Sequence, residues 1–107
     1  MSDWVDVAPA ADFAPGTCRV ALVDGVAVAV FKVAADAYYA IEDCCSHQTA
    51  ALSEGTLDGL EVACPLHGSR FSLVTGEALT LPAYEPVAVF PVRIEGGMVQ
   101  VRDDRFD

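Results

Sequence analysis

The chain has 107 residues, with six Lys or Arg against sixteen Asp or Glu and a formal charge of -10. That length suits one domain with a real core but leaves no room for a substrate cavity beside a cofactor, and the charge disfavours nucleic acid and anionic membranes as partners. The longest apolar run, Val26 to Phe31 and on through Lys32 to Ala35, is too short and too charged to cross a bilayer, and no basic-then-apolar signal segment opens the chain, so a cytoplasmic protein is expected.

Trp4, Val5 and Val7 partly alternate with Asp3 and Asp6, enough for a short opening strand, and Asp12-Phe13-Ala14-Pro15-Gly16 reads as a turn. Cys18 to Val23 and Val26 to Val33 are β-rich runs joined by Asp24-Gly25. Both central positions of a type I′ turn need positive φ, which makes Asp-Gly between such runs a strong hairpin signal. Cys18 is expected to pack in that hairpin. Ala37 to Ile41 reads as the next strand and delivers the chain to Asp43-Cys44-Cys45. From Cys45 to about Pro82 the texture changes to short β segments separated by Gly-containing turns, with Glu61 to Ala63 and Arg70 to Leu73 as candidate strands. Gly55, Gly68 and Gly76 are expected to permit turns with positive φ. Val87 to Ile94 and Met98 to Val101 read as two strands joined by Glu95-Gly96-Gly97, and Asp103 to Asp107 as an acidic tail. With no amphipathic helix and no internal repeat, the pattern predicts a single all-β domain.

The chemistry is concentrated between Cys45 and Ser69. Cys45-Ser46-His47 is followed, after sixteen residues, by Cys64-Pro65-Leu66-His67-Gly68-Ser69, and both histidines of the chain are used here. Two thiolates and two imidazoles can close on one metal centre. A tetrahedral zinc would accept the same four ligands, but zinc sites of this composition usually group Cys with Cys and His with His. The mixed order suits a two-iron, two-sulfide cluster whose cysteines hold one iron and whose histidines hold the other. Cys44-x2-His47 would also match Cys64-x2-His67, so spacing alone leaves Cys44 as a competing ligand; it and Cys18 are otherwise read as reduced thiols. Between Lys32 and Arg70 there is no Lys or Arg, while Asp36, Glu42, Asp43, Glu54, Asp58 and Glu61 fall in that interval. Such a field steers a protein toward basic partners, or serves only as solubility charge.

In these features the chain resembles the Rieske-type ferredoxins, the ferredoxin components of bacterial aromatic-ring-hydroxylating oxygenase systems. The match runs through Cys45-x-His47 and Cys64-Pro65-x-His67-Gly68, with Leu52-Ser53-x-Gly55 between them, Phe71 and Thr75-Gly76 behind, and more weakly Pro82 and Val92 to Gly96. The resemblance implies a Rieske fold for residues 1–107: an antiparallel β-sandwich or barrel-like base (1–43 and 83–107) with an inserted cluster-binding subdomain (about 44–82). It implies one [2Fe-2S] cluster held by Cys45, Cys64, His47 and His67, selects Cys45 over Cys44, and makes Ser69 a hydroxyl donor to a cluster sulfur. Neutral imidazoles in place of two thiolates make the centre easier to reduce, which raises its potential. In the high-potential members a disulfide joins the two ligand loops and a tyrosine hydroxyl adds a second donor. Ala50, Leu66 and Phe71 occupy those positions here, which places the chain with the low-potential ferredoxins. Pro82 is expected to begin a loop over the cluster.

No nucleophile-and-base pair, paired carboxylates or second metal motif is visible, so the chain is expected to be no enzyme in its own right. The resemblance implies a one-electron carrier between a flavin-dependent ferredoxin reductase and the terminal oxygenase of a multicomponent aromatic-ring dioxygenase. The alternatives are a Rieske-like small subunit of nitrite reductase and a zinc-stabilised interaction module.

Overall fold

A computed structural model of the chain describes residues 3–44, 51–65, 68–81 and 85–105. Among the described residues there are ten strands: β1 (Val5–Pro9), β2 (Thr17–Val23), β3 (Val26–Ala34), β4 (Ala37–Glu42), β5 (Thr56–Asp58), β6 (Glu61–Ala63), β7 (Arg70–Ser72), β8 (Val89–Phe90), β9 (Val92–Glu95) and β10 (Met98–Val101). Every pairing is antiparallel, in three sheets ordered β1-β10-β9, β2-β3-β4-β8 and β5-β6-β7. Among the described residues no helix is long and apolar enough to cross a membrane.

The Asp24-Gly25 hairpin forms as expected. Asp24 has φ 51° and Gly25 φ 82°, and Val23 pairs directly with Val26 across the two-residue loop. That loop matches the strands' own twist, so β2 and β3 pair without slippage from Val23↔Val26 to Thr17↔Lys32. β3 is the middle of the molecule, and its side chains alternate between two cores. Val28 and Val30 join Ala8, Phe13, Val23, Ala40, Phe90, Val99 and Val101 against the β1-β10-β9 sheet. Ala29 and Phe31 join Ile41, Leu52, Val62, Cys64, Phe71, Leu73 and Val87 against the β5-β6-β7 sheet. A strand buried on both faces has no solvent side to alternate with. That explains why Val26 to Phe31 is an unbroken apolar run.

Three expectations are corrected. The single strand over Val87 to Ile94 is two: Phe90 pairs with Ala40 in the central sheet, Val92 pairs with Val101 in the base sheet, and Pro91 between them has no N–H for either ladder. The acidic tail is not a solvated run at its start. Asp103 is only 4% exposed, and its carboxylate accepts bonds from Arg105 Nε at 2.9 Å, Nη2 at 2.8 Å and the backbone N–H at 3.0 Å. These bonds pull its carboxyl down to about 2. The third concerns Gly55, which has φ -82° and ψ -172°, an extended conformation open to any residue. It is glycine because a Cβ there would collide with the Ala63 carbonyl oxygen. Gly76 meets both demands at once, with φ 79° and the Val87 carbonyl where a Cβ would stand.

Candidate metal centre

The elements around the ligand motifs bring their two ends together. At the end of β4, Glu42 N–H donates to the Ala88 carbonyl and Asp43 N–H to the Ala27 carbonyl, both at 2.9 Å. The chain therefore stays on the central sheet up to the residue before Cys44. Cys44 is half-buried, and its thiol is pushed above its ordinary pKa by burial first, then by Glu42, Asp43 and Cys64. Cys45, His47 and His67 lie outside the described residues, as do Ala50, Leu66 and Pro82.

The first loop returns through Ala51 into a short 3-10 turn, Leu52–Glu54, whose Leu52 is fully buried in the core that also holds Cys64. Ser53 then meets Asp43: its N–H donates to Oδ1 at 2.7 Å and its hydroxyl to Oδ2 at 2.9 Å. Cys18 closes the same corner from β2, its thiol donating to the Ser53 carbonyl at 3.3 Å. Burial, with the Asp43 carboxylate second, raises the Cys18 pKa, so it stays a thiol and a donor. Cys18 thus packs across the hairpin onto the returning ligand loop as well as within β2.

The second loop is tighter. β6 buries Val62 and hands the chain directly to Cys64, which is 3% exposed. Cys64 N–H donates to the Ser69 carbonyl at 2.7 Å, and Gly68 N–H, at φ 72°, donates back to the Cys64 carbonyl at 2.9 Å. Ser69 is 1% exposed and Phe71 0%. A bridge from Phe71 to Ala78 and the bond from Arg70 N–H to Thr80 Oγ1 at 2.8 Å lay residues 78–80 alongside β7. β5 completes this sheet through a Gly59-Leu60 turn, with Asp58 facing Glu61 across it.

The acidic interval is less uniform than its composition. Arg70 Nη1 stands 3.0 Å from Asp58 Oδ2 and 3.4 Å from Glu61 Oε1, and the Asp43 carboxylate is engaged by Ser53. The Arg70 pairs are exposed and add about 0–1 kcal/mol each. Their larger effect is to offset two of the charges that would face a partner.

These residues fit an iron-sulfur centre. Cys64 presents its sulfur from an apolar core that excludes water, Ser69 buries a hydroxyl where the loop closes, and the donor set of two thiolates and two imidazoles is that of a mixed-ligand cluster. Comparison with known proteins agrees. The family described as a Rieske-like [2Fe-2S] domain matches residues 3–102. The chain is 43% identical over 103 residues to the ferredoxin CarAc of Metapseudomonas resinovorans, covering 95% of each. It is similar to a chain in the solved complex of reduced oxygenase and oxidised ferredoxin in carbazole 1,9a-dioxygenase, with TM-score 0.86, 42% identity and 92% of both chains covered. The ferredoxin of carbazole 1,9a-dioxygenase from Nocardioides aromaticivorans IC177 superposes with TM-score 0.89 at 36% identity, over 94% of this chain and 98% of that one. Two solved chains named as nitrite reductase small subunits match at 25% identity.

Proposed function

The chain belongs to the family of Rieske-like [2Fe-2S] domains, and from that premise we propose that it is the ferredoxin component of a multicomponent aromatic-ring dioxygenase. It takes single electrons from a flavin-dependent reductase and delivers them to the terminal oxygenase in the cytoplasm. It is an electron-transfer component and not itself a catalyst. The observation that carries this reading is the match over 95% of both chains to a protein named as a ferredoxin.

When bound, the [2Fe-2S] cluster supplies reversible one-electron transfer. We assign its cysteine ligands as Cys45 and Cys64 and its histidine ligands as His47 and His67, with residues 44–82 as the cluster-bearing unit and 1–43 with 83–107 as the base. The burial of Cys64 among Phe31, Leu52, Val62 and Phe71 supports this, since an apolar wall keeps water from the thiolate side. The imidazoles of His47 and His67 then form the route by which electrons reach a partner, because an imidazole edge can face solvent where a buried thiolate cannot. Ser69 donates its hydroxyl toward the centre and favours the more negative, reduced form.

Reconstitution tests the function. With reductase, oxygenase and aromatic substrate present, oxygen uptake should depend on this protein and disappear with Cys64→Ser. Uptake at the full rate without it would overturn the reading.

A further inference from the structure

Asp43, at the end of β4, and Ser53, beside the buried Leu52, flank the first ligand segment, and these two residues are bonded to each other. One carboxylate accepts both the Ser53 N–H at 2.7 Å and the Ser53 hydroxyl at 2.9 Å, short distances of the kind found for charge-assisted bonds. Each foot of this clasp is in turn fixed to the sheet beneath. Asp43 N–H is bound to the Ala27 carbonyl on β3, and the Ser53 carbonyl holds the Cys18 thiol on β2. Beyond Ser53 the chain passes Gly55, whose missing Cβ lets it lie against the Ala63 carbonyl, one residue before Cys64. The carboxylate is thus the join at which the start of one ligand loop, its end, and the root of the other are held in one frame.

Neither Asp43 nor Ser53 belongs to either apolar core. Removing the clasp therefore leaves the packing of the three sheets in place and frees the ends of one loop. Closing a loop costs chain entropy, and a bond across its mouth removes that cost before any ligand engages. We infer that Asp43 and Ser53 are positioning residues for the first ligand loop, and that they set how long the metal centre is retained more than how stable the fold is. The inference rests on the reading of Cys45 and His47 as ligands.

The test compares Asp43→Ala, Ser53→Ala, the double variant and Ser53→Thr, which keeps the hydroxyl and the N–H. Three quantities are read on the loaded protein: the rate at which visible absorption bleaches in excess iron chelator, the electron-spin spectrum of the reduced state, and the urea midpoint. Asp43→Ala, which removes both bonds, should bleach about tenfold faster or more and broaden the spectrum; Ser53→Ala, which keeps the backbone N–H bond and loses only the hydroxyl's, should bleach faster than wild type but less than Asp43→Ala, and Ser53→Thr should behave as wild type. Because the Ser53 hydroxyl acts through the Asp43 carboxylate, the double should bleach little faster than Asp43→Ala alone. Phe13→Leu, in the remote core, should lower the urea midpoint without comparable bleaching. Unchanged bleaching in Ser53→Ala, or bleaching that tracks the urea midpoint across all variants, Phe13→Leu included, would overturn the inference. Ser53→Ala alone decides the matter if Asp43→Ala yields no folded protein. A wild-type protein without iron-sulfur absorption would overturn the cluster reading itself, a separate and visible failure.

Discussion

Phe31 and Phe13 offer a matched pair of perturbations on opposite sides of the central sheet. Phe31 is 2% exposed and Phe13 1%, and each belongs to one core only. Truncating a buried Phe to Ala costs about 3–5 kcal/mol, through lost burial and the cavity left behind. Phe13 also meets the Tyr38 ring edge-on at 5.5 Å and lies 5.9 Å under the Arg19 guanidinium, and the aromatic pair adds about 0.5–1.5 kcal/mol. Phe13→Ala should therefore be the more destabilised of the two by urea unfolding, within a total of about 5–15 kcal/mol for a domain. Cluster retention should rank the other way. Phe31 shares its core with Cys64, so the cavity in Phe31→Ala opens beside the thiolate and lets water and chelator reach it. The assay is chelator-driven bleaching of the visible absorption, run beside urea titrations of both variants. Equal bleaching, or faster bleaching in Phe13→Ala, would refute the assignment of the two faces of β3 to separate duties.

Further outcomes follow from single residues. Gly55→Ala should cost about 1–3 kcal/mol or more and speed cluster loss, because the new Cβ meets the Ala63 carbonyl although the backbone angles suit any residue; a urea midpoint equal to wild type would show that this approach is slack. The Asp103 carboxyl is pulled from 3.8 to about 2 by Arg105, so it binds its proton less readily folded than unfolded. The stability it adds is complete above pH 3.8 and fades as the pH falls to about 2. Asp103→Asn should thus unfold at lower urea than wild type near neutrality, with the gap closing in acid. Electron delivery to a basic partner should slow with salt, over a screening length of about 10 Å at about 0.1 M. Glu54→Gln should reduce that dependence more than Asp58→Asn, since Asp58 already faces Arg70; identical slopes would leave the acidity as solubility charge.

What could be read from the residues was what local chemistry decides. Asp24-Gly25 declares its hairpin because positive φ is a property of those two residues and of no distant partner. An Asp-Gly pair recurs at Asp58-Gly59, but there the two turn residues are Gly59 and Leu60, and β5 and β6 are three residues each, too short for alternation to register. The four residues proposed as ligands stand out because thiol and imidazole are rare in the chain and fall in two short motifs, and of them the structure describes Cys64, which is buried. Pro91 is different: it breaks an apolar run that looks continuous, and only pairing reveals that the two halves serve different sheets. Gly55 and Asp43 escaped turn and charge logic because each answers to a neighbour distant in sequence, the Ala63 carbonyl and Ser53, that spacing does not announce. Asp103 is bound by Arg105 only two residues on, a local pairing that a count of acidic residues passes over.

The central claim is a cluster with two histidine ligands whose outer nitrogens meet solvent, and the reduction potential as a function of pH tests it most directly. With the proposed ligands, each imidazole should bind its proton more tightly when the centre is reduced than when it is oxidised, linking electron and proton uptake. Voltammetry from mildly acidic to strongly alkaline pH should show a flat potential at low pH. At higher pH the potential should fall by about 59 mV per pH unit for each proton taken up with the electron, and Ser69→Ala should shift the whole curve downward with its shape unchanged. A potential independent of pH across that range would contradict the account.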